Sequence, residues 1–281
     1  MSATPAASVR PRTHIRPSCG SIAIGWKDLW AYRDVLYFLT WRDIKVRYKQ
    51  TALGAAWAIL QPLLTMVVFS IFFGRLGGIP SGDHPYPVFA YVALVPWTFF
   101  ANAVTQASNS LVDEEEILTK VYFPRLLVPT AAVLAGLVDV AIAFVVLVGL
   151  LLAYGITPTT AVLMIPLLVA FAAITALAVS LWLSALNVRY RDVRYTLPFL
   201  VSLWLFASPV AYPSSLVPEP WRLIYGLNPM VGVVDGFRWA LLGNPEMPGI
   251  AMFVSVTVVV VLFAGGLIYF RRMERSFADA V

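Results

Sequence analysis

Few side chains in this sequence are of the types that carry out catalysis. The 281-residue chain has one cysteine, Cys19, and two histidines, His14 and His84. It has no Gly-x-x-x-x-Gly-Lys-Ser/Thr phosphate loop, no His-Glu-x-x-His zinc motif and no Gly-x-Ser-x-Gly nucleophile turn. We therefore predict no catalytic residue and no bound metal. Energy for any active process would have to come from a partner subunit or from an ion gradient.

Amide and aromatic side chains are better suited to binding, and the most informative ones lie in two apolar stretches. The polar residues of the first stretch are Asn102, Thr105 and Gln106. The aromatic residues of the two stretches are Trp97, Phe99, Phe100, Trp204, Phe206 and Tyr212. Aromatic faces stack on sugar rings, so a pore for a glycan would use these types. Tryptophan and tyrosine are also ordinary anchors at the membrane interface, and the sequence leaves both interpretations open.

The elements that hold these side chains are predicted to be membrane helices. Hydrophobic residues make up 60% of the chain and charged residues 12%, whereas soluble domains are about 45–50% apolar. A helix needs about 20 apolar residues to cross a bilayer. Six stretches qualify, at about 54–73, 88–107, 126–154, 161–186, 197–211 and 250–270. The fifth is short, so it either continues through Tyr212 or crosses locally thinned bilayer.

Basic residues fall almost entirely on one side of these six stretches. Of the 20 lysines and arginines, all but Arg75, Arg222 and Arg238 lie before the first stretch, after the sixth, or in the second and fourth loops. Because cytoplasmic loops retain basic residues, both termini are predicted to be cytoplasmic. Residues 1–25 are expected to form a disordered cytoplasmic tail, and 26–281 a single transmembrane domain. These topology signals account for the formal charge of +5, so no nucleic-acid partner is expected.

Asp139 is the one ionisable residue well inside a predicted span. Ionisable groups are costly in lipid and often mark a transport pathway. No basic residue lies near Asp139 in the sequence. We therefore favour a role in packing or pairing between helices over a role as a proton relay.

Three segments outside the spans carry distinctive patterns. Trp26 to Gln50 has aromatic residues at three- to four-residue spacing beside basic ones, which predicts a helix in the membrane interface. This helix could be a simple anchor, or it could also collar a gate or touch a partner. Asn109 to Arg125 has acidic residues early, Lys120 late and Pro124 at its end. That order is typical of a short helix, either solvated or docked into a cleft of a partner.

The third segment, Pro213 to Pro248, holds six prolines with apolar pieces between them. The pieces Trp221–Leu227 and Met230–Leu242 are too short to span a bilayer. Such pieces are read as re-entrant or interfacial helices, which need protein or water around their exposed backbone. The segment therefore points to an outer vestibule, with an exposed lid as the alternative.

Five stretches together resemble a known family. They are WRDIKVRYKQTALGAAWAILQPLL (Trp41–Leu64), LVPWTFFANAV (Leu94–Val104), ILTKVYFPR (Ile117–Arg125), LNVRYRD (Leu186–Asp192) and LNPMVGVVDGFRWALLG (Leu227–Gly243). They are similar to the membrane subunits of type-two ABC exporters for polysaccharides, the Wzm-like permeases that move lipid-linked O-antigen, galactan or teichoic acid chains. The resemblance runs from about Trp26 to the end of the chain.

The resemblance implies an all-α bacterial inner-membrane protein with six transmembrane helices, an amphipathic interface helix, a cytoplasmic coupling helix after span two and outer re-entrant helices before span six. It implies a homodimer that works with two copies of a separate ATP-binding subunit, which would bind ATP and Mg. The coupling residues would be Glu114, Glu115, Glu116, Ile117, Lys120, Tyr122, Phe123 and Arg125. The channel between two copies would be lined by Trp97, Phe99, Phe100, Asn102, Trp204, Phe206 and Tyr212.

The function that this resemblance implies is export of a polyprenyl-linked polysaccharide by a non-catalytic permease. Arg189, Arg191 and Arg194 lie where a pyrophosphate head group would arrive, and arginine binds phosphate through two parallel hydrogen bonds. Anchoring to anionic lipid is the alternative role for these arginines. Other interpretations of the chain are a drug or small-lipid ABC exporter permease, an ion-coupled secondary carrier that depends on Asp139, or a membrane enzyme of glycan assembly.

Overall fold

The computed structural model describes residues 30–49, 54–157, 159–243 and 249–274. Within these residues the chain is α-helical and has no β-strand, which confirms the predicted all-α class. The predicted tail at 1–25 lies outside the described residues. Residues 26–29 and 50 of the predicted interface segment Trp26 to Gln50 also lie outside the described residues. What we expect of the tail and of these residues therefore stays a prediction.

Ten α-helices form the described part of the chain. The first five are α1 (Arg33–Lys49), α2 (Gly54–Phe69), α3 (Tyr86–Asp113), α4 (Glu115–Lys120) and α5 (Leu127–Ala153). The others are α6 (Ile165–Arg189), α7 (Val193–Ala207), α8 (Glu219–Tyr225), α9 (Pro229–Leu242) and α10 (Ile250–Glu274). A π-helical turn at Ser70–Leu76 extends α2, and short 3₁₀ turns at Thr160–Met164 and Ser214–Leu216 precede α6 and α8.

Five helical stretches are long and apolar enough to cross a membrane. They are Ala56–Leu76, Tyr86–Asp113, Leu127–Ala153, Thr160–Arg189 and Ile250–Glu274. These correspond to the first, second, third, fourth and sixth predicted spans. The predicted fifth span corresponds to α7, which has only 15 residues, so the six-span layout stays a prediction. The predicted loop helix at Asn109 to Arg125 begins later than expected, because α3 continues to Asp113.

Helix α3 is the centre of the bundle. Most of its residues are buried, including the large side chains of Tyr91 and Phe100. It packs against α5, α6 and α9. Alanines along α3 and Gly136 of α5 permit this close approach, since small residues let membrane helices meet at short distance. A Cβ at Gly136 would lie 3.1 Å from the Phe99 ring. Helix α3 thus positions the polar residues that the sequence singled out.

The two ends of α3 define two ends of the molecule. We call the end at Asp113, next to α4, the α4 end, and the end at Tyr86, next to α9, the α9 end. Helix α7 and the residues after it contact both. Arg194 forms an ion pair with Asp113 at 3.2 Å, and the Tyr86 hydroxyl donates to the Ala211 carbonyl at 2.6 Å. The stretch from Arg194 to Ala211 therefore extends along the whole of α3, which is about 40 Å long at 1.5 Å per residue.

Helices α6 and α10 run side by side in the same direction. The Trp182 ring stacks on Tyr269 with centroids 5.1 Å apart, and its indole N–H donates to the Leu262 carbonyl at 2.9 Å. Gly266 lets the ring approach, since a Cβ there would lie 3.0 Å from it. Both helices end in one apolar cluster with Leu111 of α3. The chain between α6 and α10 therefore returns from the α4 end to the α9 end.

Candidate functional site

A cavity of about 540 Å³ lies between α1, α2, α3 and α5. We call it the bundle cavity. Three of these four helices belong to the candidate spans, so the cavity lies among helices predicted to sit in lipid. Its polar lining residues are Arg47, Gln61, Thr98, Asn102, Gln106 and Asp139. Its aromatic lining residues are Trp57 and Phe99.

An ion pair closes one wall of the bundle cavity. The Asp139 carboxylate accepts hydrogen bonds from the Arg47 guanidinium and the Tyr48 hydroxyl, and Arg47 also donates to the Gln106 side-chain oxygen. Arg47 and Tyr48 are the last turn of α1, so this network ties α1 to α3 and α5. The pairing role that we favoured for Asp139 is the one that the structure displays. Its partner lies 92 residues away in the sequence, which is why local sequence reasoning missed it.

Three other polar side chains of the bundle cavity have no hydrogen-bond partner within the described part of the chain: Gln61, Thr98 and Asn102. Each is only partly buried, and each lines the cavity. A polar group kept from water without a hydrogen bond costs about 2–7 kcal/mol in an apolar environment. Polar groups at membrane depth are tolerated where they line a water-filled or ligand-filled space. The bundle cavity is therefore suited to polar contents.

The lining chemistry suits a ligand rich in hydroxyl groups. Amide, hydroxyl, carboxylate and guanidinium groups together offer donors and acceptors in the same space. The rings of Trp57 and Phe99 add flat apolar faces; Trp57 is 56% exposed and Phe99 only 4%. Such rings pack well against the C–H faces of sugars.

The seven predicted channel residues lie in different parts of the structure. Phe99 and Asn102 line the bundle cavity. Trp97 and Phe100 are buried in the protein, and the Phe100 ring meets Trp204 edge-on at 5.1 Å. The last two lie toward the α9 end: Phe206 is exposed, and Tyr212 donates from its hydroxyl to the Phe206 carbonyl at 3.0 Å. A channel between two copies of the chain stays a prediction for all seven.

The predicted coupling residues lie in and beside α4 and face two ways. The outward, exposed ones are Glu115, Glu116, Lys120 and Tyr122. The others face the protein to different degrees: Glu114, Ile117, Phe123 and Arg125. Tyr122 is 87% exposed, whereas Phe123 is 6% exposed and belongs to an apolar cluster with Leu39 of α1. The exposed set could meet a partner, and the other set joins α4 to the bundle.

Arg42 of α1 holds Glu114 in a two-pronged hydrogen bond. Its terminal nitrogens lie 2.9 Å and 2.6 Å from the two carboxylate oxygens of Glu114. Burial alone would lower the pKa of the Arg42 guanidinium, but hydrogen bonds from it to Asp43 and Glu114 outweigh burial and raise that pKa above its usual value. Two parallel charge-assisted bonds fix orientation as well as distance. Because Glu114 lies directly before α4, a shift of α4 would displace α1 through this bond. Helix α1 also carries Arg47.

The three predicted head-group arginines are exposed at the α4 end. Arg194 forms the ion pair with Asp113. Arg189 lies over the Tyr190 ring at 5.3 Å from its centroid. Arg191 lies in the turn between α6 and α7. The structure thus brings these arginines to the same end as α4, and their role with a head group stays a prediction.

Residues 34–242 match the sequence profile of the ABC-2 type transporter family. The chain belongs to the ABC-2 type transporter family. It is 32% identical to the O-antigen export system permease protein RfbA of Myxococcus xanthus over 91% of this chain and 98% of that one. It is 29% identical to the RfbA permease of Klebsiella pneumoniae over 88% and 94%. It is 23% identical to the polysialic acid transport protein KpsM of Escherichia coli over 83% and 91%.

These relatives confirm the resemblance to Wzm-like membrane subunits that five sequence stretches carried. Four of those stretches lie wholly within the matched residues 34–242, and the fifth extends one residue beyond them, to Gly243. This ABC-2 chain is thus a membrane protein of a transporter family.

Proposed function

We propose that this ABC-2 chain is the permease subunit of an exporter that moves a lipid-linked polysaccharide out across the bacterial inner membrane. The observation that carries the proposal is the export function named for relatives that align over nearly the whole chain. The chain itself would be non-catalytic. A separate ATP-binding subunit, present in two copies, would bind ATP and Mg and supply the energy.

Six membrane crossings and cytoplasmic termini are part of this proposal. The sixth crossing would be α7 together with the non-helical residues that follow it. A helix of 15 residues covers about 22 Å at 1.5 Å per residue, and the turn at Ser208–Val210 carries the chain on to Ala211. The contacts of Arg194 and Ala211 with opposite ends of α3 support a crossing of this length. The basic residues of the α4 end support its placement in the cytoplasm.

The glycan would pass along the bundle cavity and a channel shared by two copies of the chain. In this arrangement α2 and α7 would form the contact between the two copies, and both expose large apolar side chains that a second copy or lipid would cover. Those of α2 include Leu60, Leu64, Val67 and Val68, and those of α7 include Phe199, Leu200, Leu203 and Phe206. The amides of Gln61 and Asn102, which have no partner among the described residues, would hydrogen-bond to sugar hydroxyls as they pass. Arg189 and Arg191 would meet the pyrophosphate at the start of the path.

The α4 surface would receive the ATP-binding subunit. Glu115, Glu116 and Tyr122 are its exposed polar and aromatic side chains. Its connection to α1 through Arg42 and Glu114 gives a route from the partner to the Arg47–Asp139 pair at the bundle cavity. Movement of α4 driven by nucleotide binding would in this way change the wall of the bundle cavity.

Deletion of the gene tests the proposal. The expected result is loss of the surface polysaccharide, accumulation of its lipid-linked form inside the cell, and recovery of both on complementation. Deletion of the gene for the ATP-binding subunit should give the same result. Unchanged surface polysaccharide in the permease deletion would refute the proposal, and a requirement for the permease but not for any ATPase would point to an ion-coupled carrier.

A further inference from the structure

A second cavity, of about 630 Å³, lies at the α9 end between the residues after α7, α9 and the start of α10. We call it the α9-end cavity. Its volume lies in the range of about 300–1,000 Å³ typical of small-molecule sites. It is separate from the bundle cavity, and no residue lines both.

Arg238 is the most unusual residue of the α9-end cavity. Its side chain is only 2% exposed and lines the cavity. Its terminal nitrogens donate to the carbonyls of Val210 at 2.9 Å and Tyr212 at 3.3 Å. Its guanidinium lies 3.6 Å from the centroid of the Phe89 ring. The buried Nε has no hydrogen-bond partner among the described residues, so within them the site holds a donor that lacks an acceptor.

Asp235 lies one turn before Arg238 on α9 and lines the same cavity. The two charges attract each other, but no direct salt bridge joins them in the described part of the chain. Instead, the carboxylate and the guanidinium present an acceptor and a donor in one cavity. Ser214 and Ser215 also line the cavity, and the Ser214 side chain is hydrogen-bonded to the Asp235 carboxylate. This pairing of acceptor and donor matches the neighbouring hydroxyls of a sugar ring, each of which both donates and accepts.

The remaining lining favours a sugar over other occupants. Trp239 and Tyr225 supply ring surfaces, against which the C–H face of a pyranose packs. A lipid tail would leave the Arg238 Nε donor without an acceptor and would offer the Asp235 carboxylate no donor beyond Ser214. A phosphate would be repelled by Asp235 and Glu219, and a metal ion by Arg238 and Arg222. A neutral, hydroxyl-rich ring is the chemistry that satisfies all of these groups.

We propose that the α9-end cavity is a saccharide-binding subsite that holds one unit of the polysaccharide as it leaves the permease. The identity of the ligand rests on the proposed export function. The subsite lies at the end of the molecule opposite α4, so it would act last along the path. A unit bound there would oppose backward sliding while the ATP-binding subunit resets.

A photoreactive residue at the cavity tests this subsite. Leu223 lines the cavity and is 58% exposed, so p-benzoylphenylalanine can replace it without disturbing the core. Val260 of α10, which is 61% exposed and does not line the cavity, is the matched control position. In cells that export the glycan, irradiation should attach carbohydrate to the Leu223 variant at least fivefold more than to the Val260 variant. The adduct is detected by periodate staining and by mass spectrometry of the attached sugars.

Substitutions in the same photoreactive background show whether the cavity chemistry causes the capture. D235N keeps the size of the side chain and removes its charge, and W239F keeps an aromatic ring of smaller area. Each should lower carbohydrate capture at Leu223 at least threefold, with unchanged amounts of permease in the membrane. D83N, at an exposed carboxylate three residues before Tyr86 that does not line the cavity, should leave capture unchanged.

The outcomes separate the subsite from the proposed function. Equal capture at Leu223 and Val260, lipid adducts in place of sugar adducts, or no effect of D235N while the glycan still reaches the surface would each overturn the subsite alone. If the surface glycan does not depend on the permease gene, the proposed function itself fails. Capture can also be measured on the purified permease–ATPase complex with glycan released by mild acid from the same bacterium, where the same ratios are expected.

Discussion

The two ends of this molecule use charge in different ways. At the α4 end, ion pairs such as Arg194–Asp113 and Lys120–Glu116 join side chains that are about half exposed or more. At the α9 end, the buried Arg238 bonds to two backbone carbonyls. Exposed pairs contribute only about 0–1 kcal/mol and can break and re-form, whereas loss of a partner from a buried charged site costs about 3–5 kcal/mol. We therefore expect the exposed ion pairs of the α4 end to rearrange more easily than the buried contacts of Arg238 at the α9 end.

The largest effect is expected for Arg238. In R238M, the carbonyls of Val210 and Tyr212 lose their donors inside the protein, which should destabilise the fold by about 3 kcal/mol or more. Thermal unfolding of the purified protein in nanodiscs measures this change. R222M is the matched control, since Arg222 also donates to backbone carbonyls but is 49% exposed, and its effect should stay below about 1 kcal/mol. Equal effects of the two changes would show that burial of Arg238 adds no stability at the α9 end.

A smaller effect is expected for Asp139, which lies between the two ends. D139N removes the charge that Arg47 and Tyr48 share and should lower stability by about 2 kcal/mol. Export should fall about tenfold, because the wall of the bundle cavity loosens. A double-mutant cycle with R47Q should give a coupling energy of about 1–3 kcal/mol. Strictly additive effects would show that the pair does not act as a unit.

Asp139 also distinguishes pairing from a proton relay. If it relayed protons, D139N would abolish transport without lowering stability, and R47Q would not change that result. The pairing role predicts that the double variant R47Q/D139N is more stable than D139N alone.

The Arg42–Glu114 pair should have an intermediate effect. Both side chains are 25% exposed, so E114Q should lower stability by about 1 kcal/mol. Export should fall more than the ATPase activity of the assembled complex, because α4 would still dock but would no longer move α1. E115Q is the control: its exposed side chain should alter docking, measured as co-purification of the ATP-binding subunit. Equal losses of export and ATPase activity in E114Q would contradict the transmission route.

The smallest effect is expected for Lys120. Its pair with Glu116 at 2.5 Å joins side chains that are 68% and 82% exposed. K120A should change stability by less than about 0.5 kcal/mol. A change above 1 kcal/mol in thermal unfolding would mean that the α4 end is more rigid than its exposure suggests.

The sequence was sufficient for the coarse fold because that fold follows from the length of apolar runs. The runs at 54–73 and 250–270 are long and contain no charged residue, and each corresponds to a candidate span. Helix α7 was harder to predict as a span, since its 15 residues are fewer than a straight membrane crossing needs. The contacts with the two ends of α3 come from Arg194 in α7 and from Ala211 after α7. A hydropathy pattern does not predict such contacts.

The polar sites were less predictable because they depend on distant pairs. Asn102, Gln106 and Asp139 were recognised as unusual, but the partners Arg47 and Tyr48 lie more than ninety residues from Asp139. Glu114 was assigned to the surface of α4, yet Arg42 binds it from 72 residues away. A pattern of spacing along one helix carries no information on such contacts. The loop helix was also placed too early, because Asn109–Asp113 continue α3 and bury Ser110 and Leu111.

Transport in a defined system tests ATP-driven export of a polysaccharide most directly. Inside-out vesicles would contain the purified permease, its ATP-binding subunit and the lipid-linked glycan of the same bacterium, and protection from an added glycosidase would report passage into the lumen. We predict protection that needs MgATP and the ATP-binding subunit, and that falls about tenfold with D139N. Protection without ATP, or protection driven by an ion gradient alone, would contradict the proposed function.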